Sequence, residues 1–239
     1  NGAPNQNEFF RSRINESFVG TMAEYVVSNV KDTALMPSNL SFDESASIPL
    51  VGLTTYQALV DIAKLSKGEN VLIHAGSGGI GTFAIQLAKH LGANVTTTTS
   101  TKNISLVKEL GADKVIDYTS QNYLDEGAAF DVVYDTLGGN HTMDSFKVLK
   151  DGGRVVSIKG TVDSITAKQL GLNKLIQMII AFQARKVFKA ASKMNASYRF
   201  LYMSPNGEQL KKIAKLYESG VIKPIIDKTY KFSESIQAL

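Results

Sequence analysis

Residues 70–81, NVLIHAGSGGIG, constrain this chain more than any other stretch. An apolar run, Val71-Leu72-Ile73, leads into Gly76-x-Gly78-x-x-Gly81, and the apolar-periodic segment FAIQLAKHLG follows at once. Strand, glycine turn and helix in that order predict a dinucleotide-binding unit. Gly76 permits the tight turn, Gly78 lets the backbone approach a pyrophosphate, and Gly81 lets the helix pack on the strand. The phosphates then rest on unpaired amides at the helix N-terminus, where the helix dipole favours an anion.

The end of the next strand bears on which dinucleotide is bound. Ala93–Thr99 is rich in β-branched residues and runs into Ser100-Thr101-Lys102-Asn103. NAD-specific sites place an acid near this point to accept from the ribose 2′-hydroxyl. Here the first carboxylate downstream is Glu109. Ser100 and Asn103 can donate to a 2′-phosphate and Lys102 can neutralise it, although a plain polar loop has the same composition. NADPH is the expected cofactor.

The remaining chain continues the alternation. Strands are predicted over Lys114–Tyr118, Asp131–Asp135 and Arg154–Ile158, with a helix at about 102–110 ended by Gly111. A further helix at about 141–149 is expected to stop at Gly152-Gly153. Alternating β and α units of this length predict an α/β fold with a doubly wound parallel sheet. Before it, strand-like runs lie at Phe9-Phe10 and Ala23–Val27. The Ser41–Glu44 capping box starts a helix at Phe42, and Pro49 and Gly52 are expected to interrupt before a helical pattern over Thr54–Leu65. After it come a strand at Tyr198–Met203, a helix at Glu208–Ser219 and an extended Ile222–Thr229. Ala75–Gly76, Ser100, Tyr118, Leu137–Gly138 and Ile158–Gly160 then share the carboxyl edge of the sheet, where ligands bind.

Charge is unevenly spread. Between Ser164 and Gly207 there is no Asp or Glu, yet Lys168, Lys174, Arg185, Lys186, Lys189, Lys193 and Arg199 all fall there. The apolar residues between them recur at helical spacing, so the segment reads as amphipathic helix. A solvated basic face near an anionic cofactor or subunit interface is the first reading, and weak contact with an anionic membrane the second. No recognition motif or aromatic interleaving supports nucleic-acid binding. No apolar run approaches the length that spans a bilayer and no signal-peptide pattern opens the chain, so a cytoplasmic location is the default expectation.

GTMAEYVV (20–27), ESASIPLVGLTTYQAL (44–59), KGENVLIHAGSGGIGTFAIQLAKHLGANV (67–95) and LGADKVIDY (110–118) resemble the medium-chain dehydrogenase/reductase superfamily, closest to its zinc-independent quinone oxidoreductase branch. The C-terminal YRFLYMSPNGEQL and ESGVIKPIIDKTYKFSESIQAL are similar to the subgroup containing reticulon-4-interacting protein and plant envelope quinone oxidoreductase homologues. The resemblance implies a Rossmann domain over 46–219, with the remnant of a GroES-like β-rich substrate lobe over 1–45 and a return to that lobe over 220–239. By that resemblance most of the N-terminal lobe and a short C-terminal piece are absent, and the sequence is expected to be a fragment or an incomplete chain.

By the same resemblance, Ser77, Gly78, Gly79 and Ile80 bind the pyrophosphate, and Ser100, Lys102 or Asn103, and Tyr118 surround the 2′-phosphate, Tyr118 having half-buried packing as its alternative. Leu137 and Gly138 lie on the adenine or ribose side, while Ile158, Lys159 and Gly160 hold the nicotinamide carboxamide. Thr54 places its hydroxyl near the nicotinamide, or else caps the helix that follows. Zinc relatives carry a thiolate where Val51 stands, and the chain has no cysteine. Its histidines, His74, His90 and His141, show no ligand spacing, so no zinc site is expected. His74 is read as a core residue, and neither His90 nor His141 shows a partner. The implied activity is hydride transfer from NADPH to a quinone or α,β-unsaturated carbonyl by a homodimer joined at the 198–203 edge, with no single catalytic acid or base. The alternatives are a nucleotide-binding interaction module with a degenerate substrate lobe, and an enoyl-thioester reductase.

Overall fold

A computed structural model describes residues 25–238. The strand expected at Phe9-Phe10, and Ala23-Glu24 of the next, lie outside the described residues. Tyr25, Val26 and Val27 form no strand and are exposed. β-Branched residues make a strand only where a partner accepts their backbone and covers one face, and among the described residues none does.

Six strands form one parallel sheet in the order β3-β2-β1-β4-β5-β6. They are β1 (Asn70–Ile73), β2 (Asn94–Thr99), β3 (Lys114–Asp117), β4 (Phe130–Asp135), β5 (Leu149–Ser157) and β6 (Ser197–Phe200). The order reverses between β1 and β4, the switch point at which a crevice opens. Helices α3 (Gly79–His90) and α4 (Ile104–Glu109) cover one face, where Val71, Ile73, Ile85, Leu87 and Val107 are buried. On the other face lie α5 (Asn140–Val148), α6 (Ser164–Gln169) and α7 (Lys174–Lys193), with Leu72, Val133, Phe146 and Val187 inside. A fully buried aliphatic side chain contributes about 1.5–3 kcal/mol, so two such layers account for a sheet apolar on both sides.

The capping box at Ser41 holds as expected: its side chain accepts from the Glu44 amide and starts α1 (Phe42–Ala46). Pro49 and Gly52 do not interrupt. Pro49 occupies the first turn of α2 (Pro49–Tyr56), where its missing N–H costs nothing. A Cβ on Gly52 would stand 3.3 Å from Ile213 of α8 (Gly207–Glu218), so glycine there serves helix packing. A π-helical turn (Gln57–Ile62) continues α2.

Further boundaries differ from expectation. α5 ends at Val148, and β5 starts at once and runs through Gly152-Gly153. The pairing of β4 with β5 shifts register between Phe130↔Leu149 and Val132↔Arg154, so the two glycines form a bulge rather than a helix stop. β6 ends at Phe200, so Leu201–Met203 of the strand expected there lie beyond it, while Ile222–Thr229, expected to be extended, forms neither helix nor strand. Ile222 is buried, and the Gln86 side chain serves Lys223 as a backbone partner would, accepting from its amide at 2.8 Å and donating to its carbonyl at 3.0 Å.

Candidate functional site at the carboxyl edge of the sheet

Strand β2 carries a run of buried threonines, Thr96 to Thr99, and three of their hydroxyls build the bed of the glycine turn. Thr97 donates to the Ile73 carbonyl at 2.7 Å, and a Cβ on Gly76 would lie 2.1 Å from its Oγ1. Thr98 accepts from the Ala75 amide at 3.1 Å, and Thr99 donates to Ser77 Oγ at 2.9 Å. The left-handed residue of the turn is Ala75, with φ of 53°. Gly76 is therefore required by the close approach of Thr97, while the positive φ of the turn falls on Ala75. Gly81 behaves as expected, since its Cβ would sit 2.3 Å from the Ala75 carbonyl oxygen.

Gly78 and Gly79 are exposed, and a Cβ there would meet nothing nearer than the Ala75 oxygen at 3.4 Å and Val51 at 3.7 Å. No side chain caps α3 at Gly78, so its first-turn amides lack intrahelical partners. An open cradle at a twelve-residue helix fits a pyrophosphate.

Outward along the sheet, Ser100, Lys102 and Asn103 follow β2, and exposed Tyr118 follows β3. Asn103 is already engaged: its amide donates to Ser77 Oγ at 3.0 Å and to Ser100 Oγ at 3.4 Å. It braces the loop, which leaves Ser100 and exposed Lys102 to face a ligand. An acid is also present that the reading of the loop missed. Asp117 stands opposite Thr99 in the parallel register. It accepts from the Thr101 hydroxyl at 2.5 Å and from the Thr119 amide and hydroxyl at 3.0 and 2.7 Å. The Thr101 bond, then those from Thr119, hold its carboxyl below the usual range. The register of β3 on β2 is the signal that could have found it.

On the other side of the switch point, buried Asp135 ends β4 and ties two loops together. Its Oδ1 accepts from the amides of Leu137 (3.0 Å) and Gly138 (2.8 Å), its Oδ2 from Thr142 Oγ1 (2.5 Å) and Ser157 Oγ (2.8 Å). Ser157 in turn accepts from the Gly160 amide at 2.7 Å. Gly138 has φ of 73°, and its Cβ would lie 2.3 Å from the Lys159 oxygen, so the loops touch backbone to backbone. Leu137, Gly138, Ile158, Lys159 and Gly160 are thus brought together as expected.

Thr54 does not cap the helix that follows. It lies within α2, and its buried hydroxyl donates to the Leu50 carbonyl at 2.6 Å. His74 is fully buried, with Nδ1 3.4 Å from Thr98 Oγ1. Burial pushes it down to about 4; Asp135 opposes that shift and His141 adds to it. His141 does have a partner, since Tyr123 Oη lies 3.1 Å from its Nδ1. Burial, with Asp144 and Asp135, pushes the Tyr123 phenol upward. Among the described residues no group of three or more His, Asp or Glu side chains is arranged to hold a metal ion.

A sequence model described as zinc-binding dehydrogenase matches residues 110–239. The chain is 38% identical over 216 residues to 2-methylene-furan-3-one reductase of Solanum lycopersicum, covering 90% of this chain and 47% of that one. It is 33% identical over 228 residues to the mitochondrial NAD(P)H oxidoreductase RTN4IP1 of Danio rerio, covering 92% and 58%. The chain thus spans about half the length of these curated relatives. Among solved structures, the quinone oxidoreductase from Coxiella burnetii superposes with a TM-score of 0.68 at 34% identity, covering 84% of this chain and 57% of that one.

Proposed function

Since this chain belongs to the zinc-binding dehydrogenase family, within the medium-chain dehydrogenase/reductase superfamily, we propose that it binds NADPH as part of an oxidoreductase that reduces a quinone or an α,β-unsaturated carbonyl. The observation that carries this reading is the uncapped start of α3, with Gly78 and Gly79 open above it. Lys102 pairs with no carboxylate among the described residues, and beside Ser100 it supplies charge and a hydroxyl for a 2′-phosphate. The acid that could compete for a ribose hydroxyl, Asp117, is occupied by Thr101 and Thr119.

A bound reduced nicotinamide supplies the hydride. The contribution of this chain is to fix the cofactor through α3 and the two loops joined by Asp135, and to exclude water from the crevice between β1 and β4. An electrophilic acceptor needs only hydrogen bonds for its developing oxyanion and a proton from solvent to complete the reduction. These residues supply no thiolate for a Lewis acid. Elemental analysis of protein purified without added metal should find no stoichiometric zinc, and turnover should survive prolonged chelation. Loss of turnover together with a stoichiometric metal would refute this mechanism.

Cofactor choice is tested by titrating both nucleotides into the protein and a Ser100→Ala, Lys102→Ala variant. The wild type should prefer NADPH, and the variant should lose about 1–3 kcal/mol of NADPH affinity with little change for NADH. Equal affinities in the wild type would sink the NADPH assignment.

A further inference from the structure

We propose that the outward face of α7 docks on an anionic lipid bilayer. The helix has twenty residues, a length of about 30 Å. Its buried positions, Ala184, Val187 and Ala191, all lie in the C-terminal half. At 3.6 residues per turn, Leu175, Met178, Ile179 and Phe182 point away from that buried side, as do Arg185, Lys186, Lys189 and Lys193. The exposures agree: Leu175 67%, Met178 68%, Ile179 50% and Phe182 70%. One outward stripe is therefore apolar over its first half and basic over its second. The basic end is anchored beside β5, where the Gly152 amide donates to the Met194 carbonyl at 2.9 Å. The apolar end projects toward the carboxyl edge of the sheet.

Charge selects the occupant. No carboxylate lies between Ser164 and Gly207 to neutralise these cations along the chain. Anionic headgroups meet the basic half while the four apolar side chains enter the headgroup–acyl boundary, the usual division for a helix lying in the interface. No helix among the described residues is long and apolar enough to cross a membrane, and the proposed contact is one in which α7 lies along the surface. A second copy covering the whole stripe would set basic against basic or basic against apolar, whereas anionic headgroups match the basic half and acyl chains the apolar half.

Flotation of the chain with vesicles tests this. Binding to mixed phosphatidylcholine–phosphatidylserine vesicles should exceed binding to phosphatidylcholine alone by tenfold or more at low salt, and fall as salt rises. An R185Q/K186Q/K189Q/K193Q variant should lose the preference. An M178S/F182S variant should bind at least several-fold more weakly, and both should keep the wild-type unfolding midpoint because the altered side chains are exposed. Equal binding to neutral and anionic vesicles, or anionic binding that survives both variants, would overturn the proposal. So would sedimentation as a dimer that M178S/F182S converts to monomer, because a second copy would then cover the face.

Discussion

Replacing Asp135 by alanine should lower stability by about 3–5 kcal/mol, a large effect for one residue. The carboxylate is buried and accepts four hydrogen bonds, two from backbone amides. The Thr142 and Ser157 hydroxyls can turn to other acceptors, but the amides of Leu137 and Gly138 cannot move without unwinding the loop. Asparagine keeps one oxygen for those amides and presents an NH2 to two hydroxyls that can accept, so Asp135→Asn should cost about 1–2 kcal/mol. Urea unfolding of the three proteins measures both changes. An alanine variant within about 1 kcal/mol of wild type would show that Asp135 does not hold the loops.

The glycines of the turn should separate folding from binding. In Gly81→Ala the new methyl would lie 2.3 Å from the Ala75 oxygen and 2.6 Å from Gly76 Cα, both backbone atoms. Relief requires α3 to move off β1, at a cost of about 1–3 kcal/mol or more. Gly78→Ala meets only the Ala75 oxygen at 3.4 Å, in an extended backbone that alanine adopts freely. Its stability should change by less than about 1 kcal/mol, while nucleotide affinity falls by about tenfold or more as the methyl fills the phosphate cradle. Thermal unfolding and nucleotide titration on the two variants make the comparison. A Gly78→Ala protein that binds nucleotide like wild type would place the phosphates elsewhere.

The central fold is legible because its signals are local. Val71-Leu72-Ile73, the glycine turn and the FAIQLAKHLG periodicity lie within one βα unit, and parallel alternation then puts every strand end on one edge. What the sequence hides is non-local or compensated. The threonines of β2 look like strand formers, and only the fold reveals that three of their hydroxyls engage residues 22–24 positions away. Asp135 looks like the last residue of a strand until Thr142 and Ser157 converge on it. Gly152-Gly153 has the composition of a helix stop, yet the bulge in β5 uses it. Tyr25–Val27 has strand composition and no partner, and Lys223 finds its backbone partner in a glutamine side chain.

The left-handed Ala75 has a consequence for the order of assembly. A non-glycine residue at φ of 53° is unfavourable in an isolated chain. It is held here by the hydrogen bond that its amide donates to Thr98 Oγ1, twenty-three residues on. Strand β1 and helix α3 alone supply the bond from the Gly78 amide to the Ala75 carbonyl but lack the one to Thr98. The turn closes only when β2 docks beside β1, so competence to receive a phosphate arrives with completion of the βαβ unit rather than with its first half. A nucleotide present during refolding should accelerate nothing before that docking, and should slow unfolding once it has occurred.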